Sequence, residues 1–255
     1  MSRFFDGVDD RLEKGVAPIT AAPVTLACWF RAENLDGFKV LLSLANSGST
    51  NNFLYLAAAG SFAGDPVVAT TQAGGLFFNA ETTIGFSALV WHHAAAVFAS
   101  ATDRRAFIDG GSKGTNSSSG APSGINRTSI GRVGDSTPGN HFKGRIAEAA
   151  VWDAALTDVE VAALAAGVSP LRVRSGNLKG YWAVFGVSPE TDFSGRGNNL
   201  TVTGTTIADH APVAPQFGFS GTEPDAVVLG PTGQPFRMRG MMIPGWAGGR
   251  FGRVA

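Results

Sequence analysis

Val24-Thr25-Leu26-Ala27-Cys28-Trp29-Phe30-Arg31 sets Val24, Leu26, Cys28 and Phe30 on one side and Thr25, Ala27, Trp29 and Arg31 on the other, the two-residue period of an extended strand. Residues 91–98, 105–108 with the turn pair Asp109-Gly110, 128–130 and 146–152 behave alike, and Gly, Ser, Asn and Pro clusters separate them. That punctuation predicts antiparallel β structure. Ile146-Ala147-Glu148-Ala149-Ala150-Val151-Trp152 is largely apolar on both faces, so this strand is expected to be covered on both sides. One helix interrupts the pattern. Thr157-Asp158-Val159-Glu160 reads as a capping box, and Gly167 supplies the stop.

Composition agrees with an all-β chain. Of 255 residues, 44% are hydrophobic and only 16% charged, with 34 Gly and 13 Pro, which excludes a long-helix protein and a disordered one. Twenty basic residues balance twenty acidic ones, so no overall field draws the molecule onto nucleic acid or an anionic membrane, and no apolar run approaches the ~20 residues that would span a bilayer. The single cysteine, Cys28, can form neither an internal disulfide nor a cysteine-built zinc site. Charge is unevenly spread: residues 226–255 carry Arg237, Arg239, Arg250 and Arg253 and no acid, leaving 16 basic against 20 acidic groups elsewhere. From Phe217 onward the chain is Gly- and Pro-rich and has no sustained period. Two segments are therefore expected, a β domain over residues 1–216 and an extended, apolar, basic arm over 217–255. Phe236, Met238, Met241, Met242, Ile243 and Trp246 would bury apolar surface on a partner or another copy, with the four arginines fixing the register against acidic groups, or the arm would fold back across its own sandwich.

In order along the chain, Phe5-Asp6-Gly7-Val8-Asp9-Asp10, Cys28-Trp29-Phe30, Trp91-His92-His93-Ala94-Ala95-Ala96-Val97-Phe98, Phe107-Ile108-Asp109-Gly110, Ile130-Gly131-Arg132 and the run from Phe142 to Asp153 resemble the laminin G-like, concanavalin A-like jelly-roll domains. The capped helix, Gly180-Tyr181-Trp182 and Asp192-Phe193-Ser194-Gly195-Arg196-Gly197-Asn198-Asn199-Leu200-Thr201 extend the resemblance over roughly residues 3–208. It implies a sandwich of two antiparallel sheets with tryptophans 29, 91, 152 and 182 at core positions. This fold hosts lectins, glycan hydrolases, adhesion modules and viral structural proteins. Lectin sites of the class resemble rim pockets lined by an aromatic, an Asn and an Asp, which residues 46–52, 74–79 and 135–141 would supply here. Family members often carry an acid where this chain has Ala147, and their calcium sites vary. Asp6, Asp9 and Asp10 are the nearest calcium candidates, against their reading as turn residues.

Hydrolases of the fold resemble one another in a Glu-x-Asp-x-x-Glu strand that sets two carboxylates on one face. Glu190-Thr191-Asp192-Phe193-Ser194-Gly195 lacks the last acid, and Glu148 and Asp153 are an odd five residues apart on what reads as a continuous strand. Adjacent His92 and His93 leave opposite faces, one expected toward solvent or a loop and one satisfied in the sheet. His141 and His210 have no acid and nucleophile beside them in sequence. Gly110-Gly111-Ser112-Lys113-Gly114 reads as a turn, since it opens no helix that could cradle phosphate.

With no secretory signal and a docking arm, the expected function is a non-enzymatic assembly protein. The most specific form is a bacteriophage virion component, head decoration or tail, made in the host cytoplasm. It would bind other virion proteins or further copies of itself. The alternative is a carbohydrate-binding module for a cell-surface glycan, and a glycan hydrolase stands third.

Overall fold

A computed structural model describes residues 1–213 and, by backbone alone, Val228–Leu229 and Pro235–Phe236. Packing divides the chain into Met1–Gln216 and Phe217–Ala255. In the second unit, Val228–Leu229 pairs antiparallel with Pro235–Phe236.

The first unit begins with β1 (Ser2–Asp6), β2 (Arg11–Lys14), β3 (Val24–Ala32), β4 (Phe38–Ala45), β5 (Asn52–Ala59), β6 (Pro66–Ala73), β7 (Leu76–Gly85) and β8 (His92–Ser100). It continues with β9 (Asp103–Ile108), β10 (Gly111–Asn116), β11 (Arg127–Ile130), β12 (Lys143–Trp152), α1 (Asp158–Ala165), β13 (Leu178–Trp182), β14 (Thr201–Thr203) and β15 (Thr206–Ala208). One sheet runs β10-β9-β8-β3-β12-β1-β15, with β13 also on β12, and the other runs β14-β2-β11-β4-β5-β6-β7. Every ladder is antiparallel. Val24, Leu26, Cys28 and Phe30 face Leu42, Leu44, Leu54 and Leu56 across the core, as the two-residue period requires. Burial pushes the Cys28 thiol pKa far up, so this sulfur is a core atom. Beyond the Asp109-Gly110 turn, Gly111–Asn116 forms a strand where a longer turn was expected.

Residues 146–152 are buried on both faces, as expected, and the chain that follows β12 folds back on the outer side, where Trp152 Nε1 donates to the Val173 carbonyl at 2.8 Å. The Thr25 hydroxyl donates to the Ala154 carbonyl at 2.7 Å and accepts from the Leu156 amide at 3.1 Å. Val161 and Leu164 are buried on α1. Thr157 Oγ1 accepts from the Glu160 amide at 3.3 Å, and Glu160 Oε2 accepts from the Thr157 amide at 2.8 Å, closing both halves of the capping box. Gly167 ends the helical segment at φ +89°. Thr157→Ala is expected to cost about 1 kcal/mol, seen as a melting temperature lower by about 2–4 °C.

Both flanks of the sandwich are closed. On one, β10 of the first sheet lies against β7 of the second: Asn116 Nδ2 donates to the Asn79 carbonyl at 2.8 Å, and a Cβ on Gly114 would stand 1.6 Å from the Glu81 carbonyl oxygen. On the other, β14 and β15 belong to different sheets and are joined through Gly204, at φ +76°. β15 lies beside β1, with Ala208 opposite Ser2. Beneath this flank Arg3 Nε donates to Glu190 Oε2 at 2.8 Å, with side-chain exposures of 4% and 0%. Short edges covered in this way offer little template for strand addition.

Candidate functional site

Of three segments marked by the sequence, 46–52, 74–79 and the first half of 135–141 meet at one end of the second sheet, and 120–126 joins them, while Asn140 lies toward the other end, its carbonyl accepting from the Val40 amide at 2.9 Å. Ser47 N–H donates to Asn126 Oδ1 at 2.8 Å, Ser123 N–H to Asn52 Oδ1 at 3.0 Å, and Asn46 Nδ2 to the Ser123 carbonyl at 3.3 Å. The Ser136 amide reaches the Ser49 carbonyl at 3.5 Å. Gly75, at φ +85°, lies beside Asn51, and an added Cβ would be in ordinary contact with its Oδ1 at 3.8 Å. The part played by 120–126 was missed in the sequence because Ser, Gly and Pro there signal a turn and nothing more.

Out of this rim project Leu76 and Phe77, 65% and 57% exposed. Phe77 is held by Phe53, ring centroids 6.0 Å apart, and Phe53 stacks on Tyr55 at 5.0 Å. Cross-strand register sets Gln72 between Phe53 and Phe77, and Gln72 Oε1 is buried with no hydrogen-bond partner among the described residues. Burial lifts the Tyr55 hydroxyl to a pKa of about 12. Asp135 is buried, accepts from the Thr137 amide at 2.9 Å, and has a pKa raised by that burial. The arrangement therefore offers an exposed aromatic face ringed by amides and hydroxyls, the chemistry that stacks a sugar ring and satisfies its hydroxyls.

Asp6, Asp9 and Asp10 bring their carboxylate oxygens within 4.8 Å of one another. Asp10 is buried, not a solvated turn residue as one reading held. Asp6 Oδ1 accepts from the Val8 amide at 2.8 Å and Asp10 Oδ2 from the Asp6 amide at 2.9 Å. Two of the oxygens are thus already engaged by backbone, and three carboxylates furnish only part of the six to eight oxygens that calcium takes.

The other polar cluster lies on the outer face of the first sheet, where one expectation is corrected. β12 is not continuous: its register with β3 shifts between Ala147 and Ala150, and Glu148 adopts φ +53°. This bulge turns Glu148 away from the core, which Ile146, Ala149 and Val151 face. Its carboxylate accepts from the Tyr181 hydroxyl and lies 3.0 Å from His210 Nε2, an acid that His210 meets across 62 positions of sequence. Both adjacent histidines are buried, and His92 is the one that faces a loop. His92 Nε2 accepts from the Ser87 amide at 3.0 Å, which leaves Nδ1 to donate to Asp109 at 2.8 Å. Burial pushes the Asp109 carboxyl up, but the bonds from His92 and the His93 amide outweigh it and hold its pKa low. His93 lines a cavity with Trp29, Glu148, Trp152 and Ser169, and its Nδ1 has no partner among the described residues. Trp152 and Trp182 are fully buried, whereas Trp29 and Trp91 are only partly so.

Burial pushes the His93 imidazole down from 6.5 to about 4. The unfolded chain binds this proton first as pH falls, so the stability from neutral burial is complete above 6.5 and lost between 6.5 and 4, about 3 kcal/mol in all. Urea melts across that window are expected to show the loss, and His93→Gln to remove its share. A His93→Gln variant with an unchanged pH profile would contradict the assignment.

The arm residues Arg237, Met238, Arg239, Met241, Met242, Ile243, Trp246, Arg250 and Arg253 lie outside the described residues, as does the Phe236 side chain.

The family model for the concanavalin A-like lectin/glucanases superfamily matches residues 6–162. No curated protein matches the chain. Among solved structures, a Bacteroides ovatus protein described as carbohydrate binding is similar at 19% identity and a TM-score of 0.58, over 84% of this chain and 61% of that one. Domain 4 of an extracellular arabinanase from Geobacillus stearothermophilus, in complex with arabinotriose, is similar at 21% identity and a TM-score of 0.53, over 64% of this chain and 76% of that one. A heptameric pentraxin from Limulus polyphemus is similar at 13% identity and a TM-score of 0.54, over 79% and 94%. The two-sheet topology and a family match over more than half its length agree: this chain belongs to the concanavalin A-like lectin/glucanases superfamily.

Proposed function

We propose that the protein is a non-catalytic carbohydrate-binding module whose glycan lies on the rim formed by residues 46–52, 74–77, 123–126 and 135–138. The observation that carries this reading is Phe77, 57% exposed, braced by Phe53 and bordered by the Asn51 loop. An aromatic held in place at the end of a sandwich stacks a pyranose or furanose face without losing much side-chain freedom. The rim holds one carboxylate, the buried Asp135, where hydrolysis of a glycosidic bond needs a pair. The likeness to chains described as carbohydrate binding, or solved with arabinotriose, supports the same reading. The assembly reading rests on residues 217–255 and gains nothing from the described ones.

Affinity electrophoresis through gels containing arabinan, galactan, xylan or β-glucan tests it. At least one polymer is expected to retard the protein, and Phe77→Ala to weaken that binding about tenfold, or about 1.4 kcal/mol. Retardation by none of a broad panel, or an unaltered Phe77→Ala, sinks the proposal.

A further inference from the structure

The charge of the rim narrows its ligand. In a chain that is 16% charged, residues 46–52, 74–79, 117–126 and 135–138 contain one ionisable side chain, Asp135. That carboxylate is 6% exposed and turned onto the Thr137 amide. Of the cations nearest in sequence, Arg132 Nη2 donates to Glu13 Oε2 at 2.7 Å and Lys113 Nζ to Asp158 Oδ2 at 2.6 Å. Arg127 Nη1 donates to the Gly134 carbonyl at 3.4 Å, and Arg104 is buried against the Ala101 and Ser118 carbonyls and Asn116.

We infer that the rim takes an uncharged glycan and holds it without calcium, an inference that rests on the rim being the binding site. A uronic or sialic carboxylate brought onto this surface would shed water and find no cation within these described rim segments to replace it, a cost that hydroxyl groups do not carry. Sugar hydroxyls instead meet amides and hydroxyls of Asn51, Thr50, Ser123 and Thr137, while Phe77 and Leu76 cover C–H faces.

The calcium half follows from strand register. Leu12 pairs with Ile130 and Ile130 with Leu42, and Lys14 pairs with Thr128 and Thr128 with Leu44. β2 therefore runs alongside β4 in the same direction, and Asp10, just before β2, stands level with residue 40, while the rim begins at Asn46. Six strand residues separate them, about 20 Å. The acidic trio Asp6, Asp9 and Asp10 lies at the opposite end of the sheet, and an ion there could not bridge protein and glycan at the rim.

Affinity electrophoresis of the full chain separates these possibilities. The gels contain neutral arabinan, galactan and β-glucan or acidic polygalacturonate and sialylated mucin, each with calcium or with EDTA, at low and high salt. Retardation by a neutral polymer and by neither acidic one, unchanged by EDTA and by salt, is the expected result. Retardation by an acidic polymer, or its loss in EDTA, overturns the inference; if that retardation disappears in Phe77→Ala, the rim itself still stands. Retardation by no polymer overturns both.

Discussion

Gly114→Val is expected to yield a protein that is insoluble, or that melts about 10 °C or more below the native one. A Cβ at this position stands 1.6 Å from the Glu81 carbonyl oxygen and 2.4 Å from its carbon, and these atoms belong to a strand fixed by its own ladder, with Glu81 opposite Val68. Relief requires β10 to move off β7, breaking the Asn116–Asn79 bond and opening the core along that flank. Overpacking typically costs 1–3 kcal/mol; a clash with immovable backbone belongs at or above that range, about 4 kcal/mol, and each kcal/mol moves the midpoint of a domain this size by about 2–4 °C. Gly111 is the control. Nothing lies within 4 Å of a Cβ there, so Gly111→Ala should stay within about 0.5 kcal/mol of the native protein. A Gly114→Val protein with native melting would mean that the two sheets do not meet along this flank.

The second large effect is expected from Glu190→Ala, a loss of about 3–5 kcal/mol. Glu190 is completely buried and accepts from Arg3 Nε at 2.8 Å, the Phe185 amide at 2.8 Å and the Gly186 amide at 3.3 Å. Arg3 also donates to Thr205 Oγ1 at 2.9 Å and to the Val187 carbonyl. Removing the carboxylate strands a guanidinium inside the protein and takes an acceptor from two amides, while the apolar double variant Arg3→Met, Glu190→Leu removes both charges and should recover part of the loss. Urea unfolding reads this as a lower midpoint at unchanged slope. A Glu190→Ala midpoint equal to that of the native protein would refute the claim that this pair ties residues 185–205 to β1.

Much of this architecture is legible in the sequence because it is written in local rules. The alternation of residues 24–31, the Thr157–Glu160 box and the stop at Gly167 each depend on neighbours within a few residues, and each forms where it is read. The rim loops are legible for the same reason. What escapes reading is set by residues far apart. The bulge at Glu148 leaves no trace among Ala147, Ala149 and Ala150, since small apolar residues suit either face. The Glu148–His210 contact spans 62 positions, and the burial of His92 depends on Asp109 and Ser87, brought in by two other segments. Trp29 and Trp91 resemble core tryptophans by position, yet the chain that follows β12 leaves Trp29 partly open above the His93 cavity.

Because Ser2 and Ala208 lie opposite one another on neighbouring strands, the first strand of the sandwich begins beside the end of the last. A fold built this way is portable. It can be spliced into an exposed loop of an unrelated host through two short tethers without prising that loop apart, and its own ends can be joined and the chain reopened in the polar stretch 117–122 with the order of strands in space preserved.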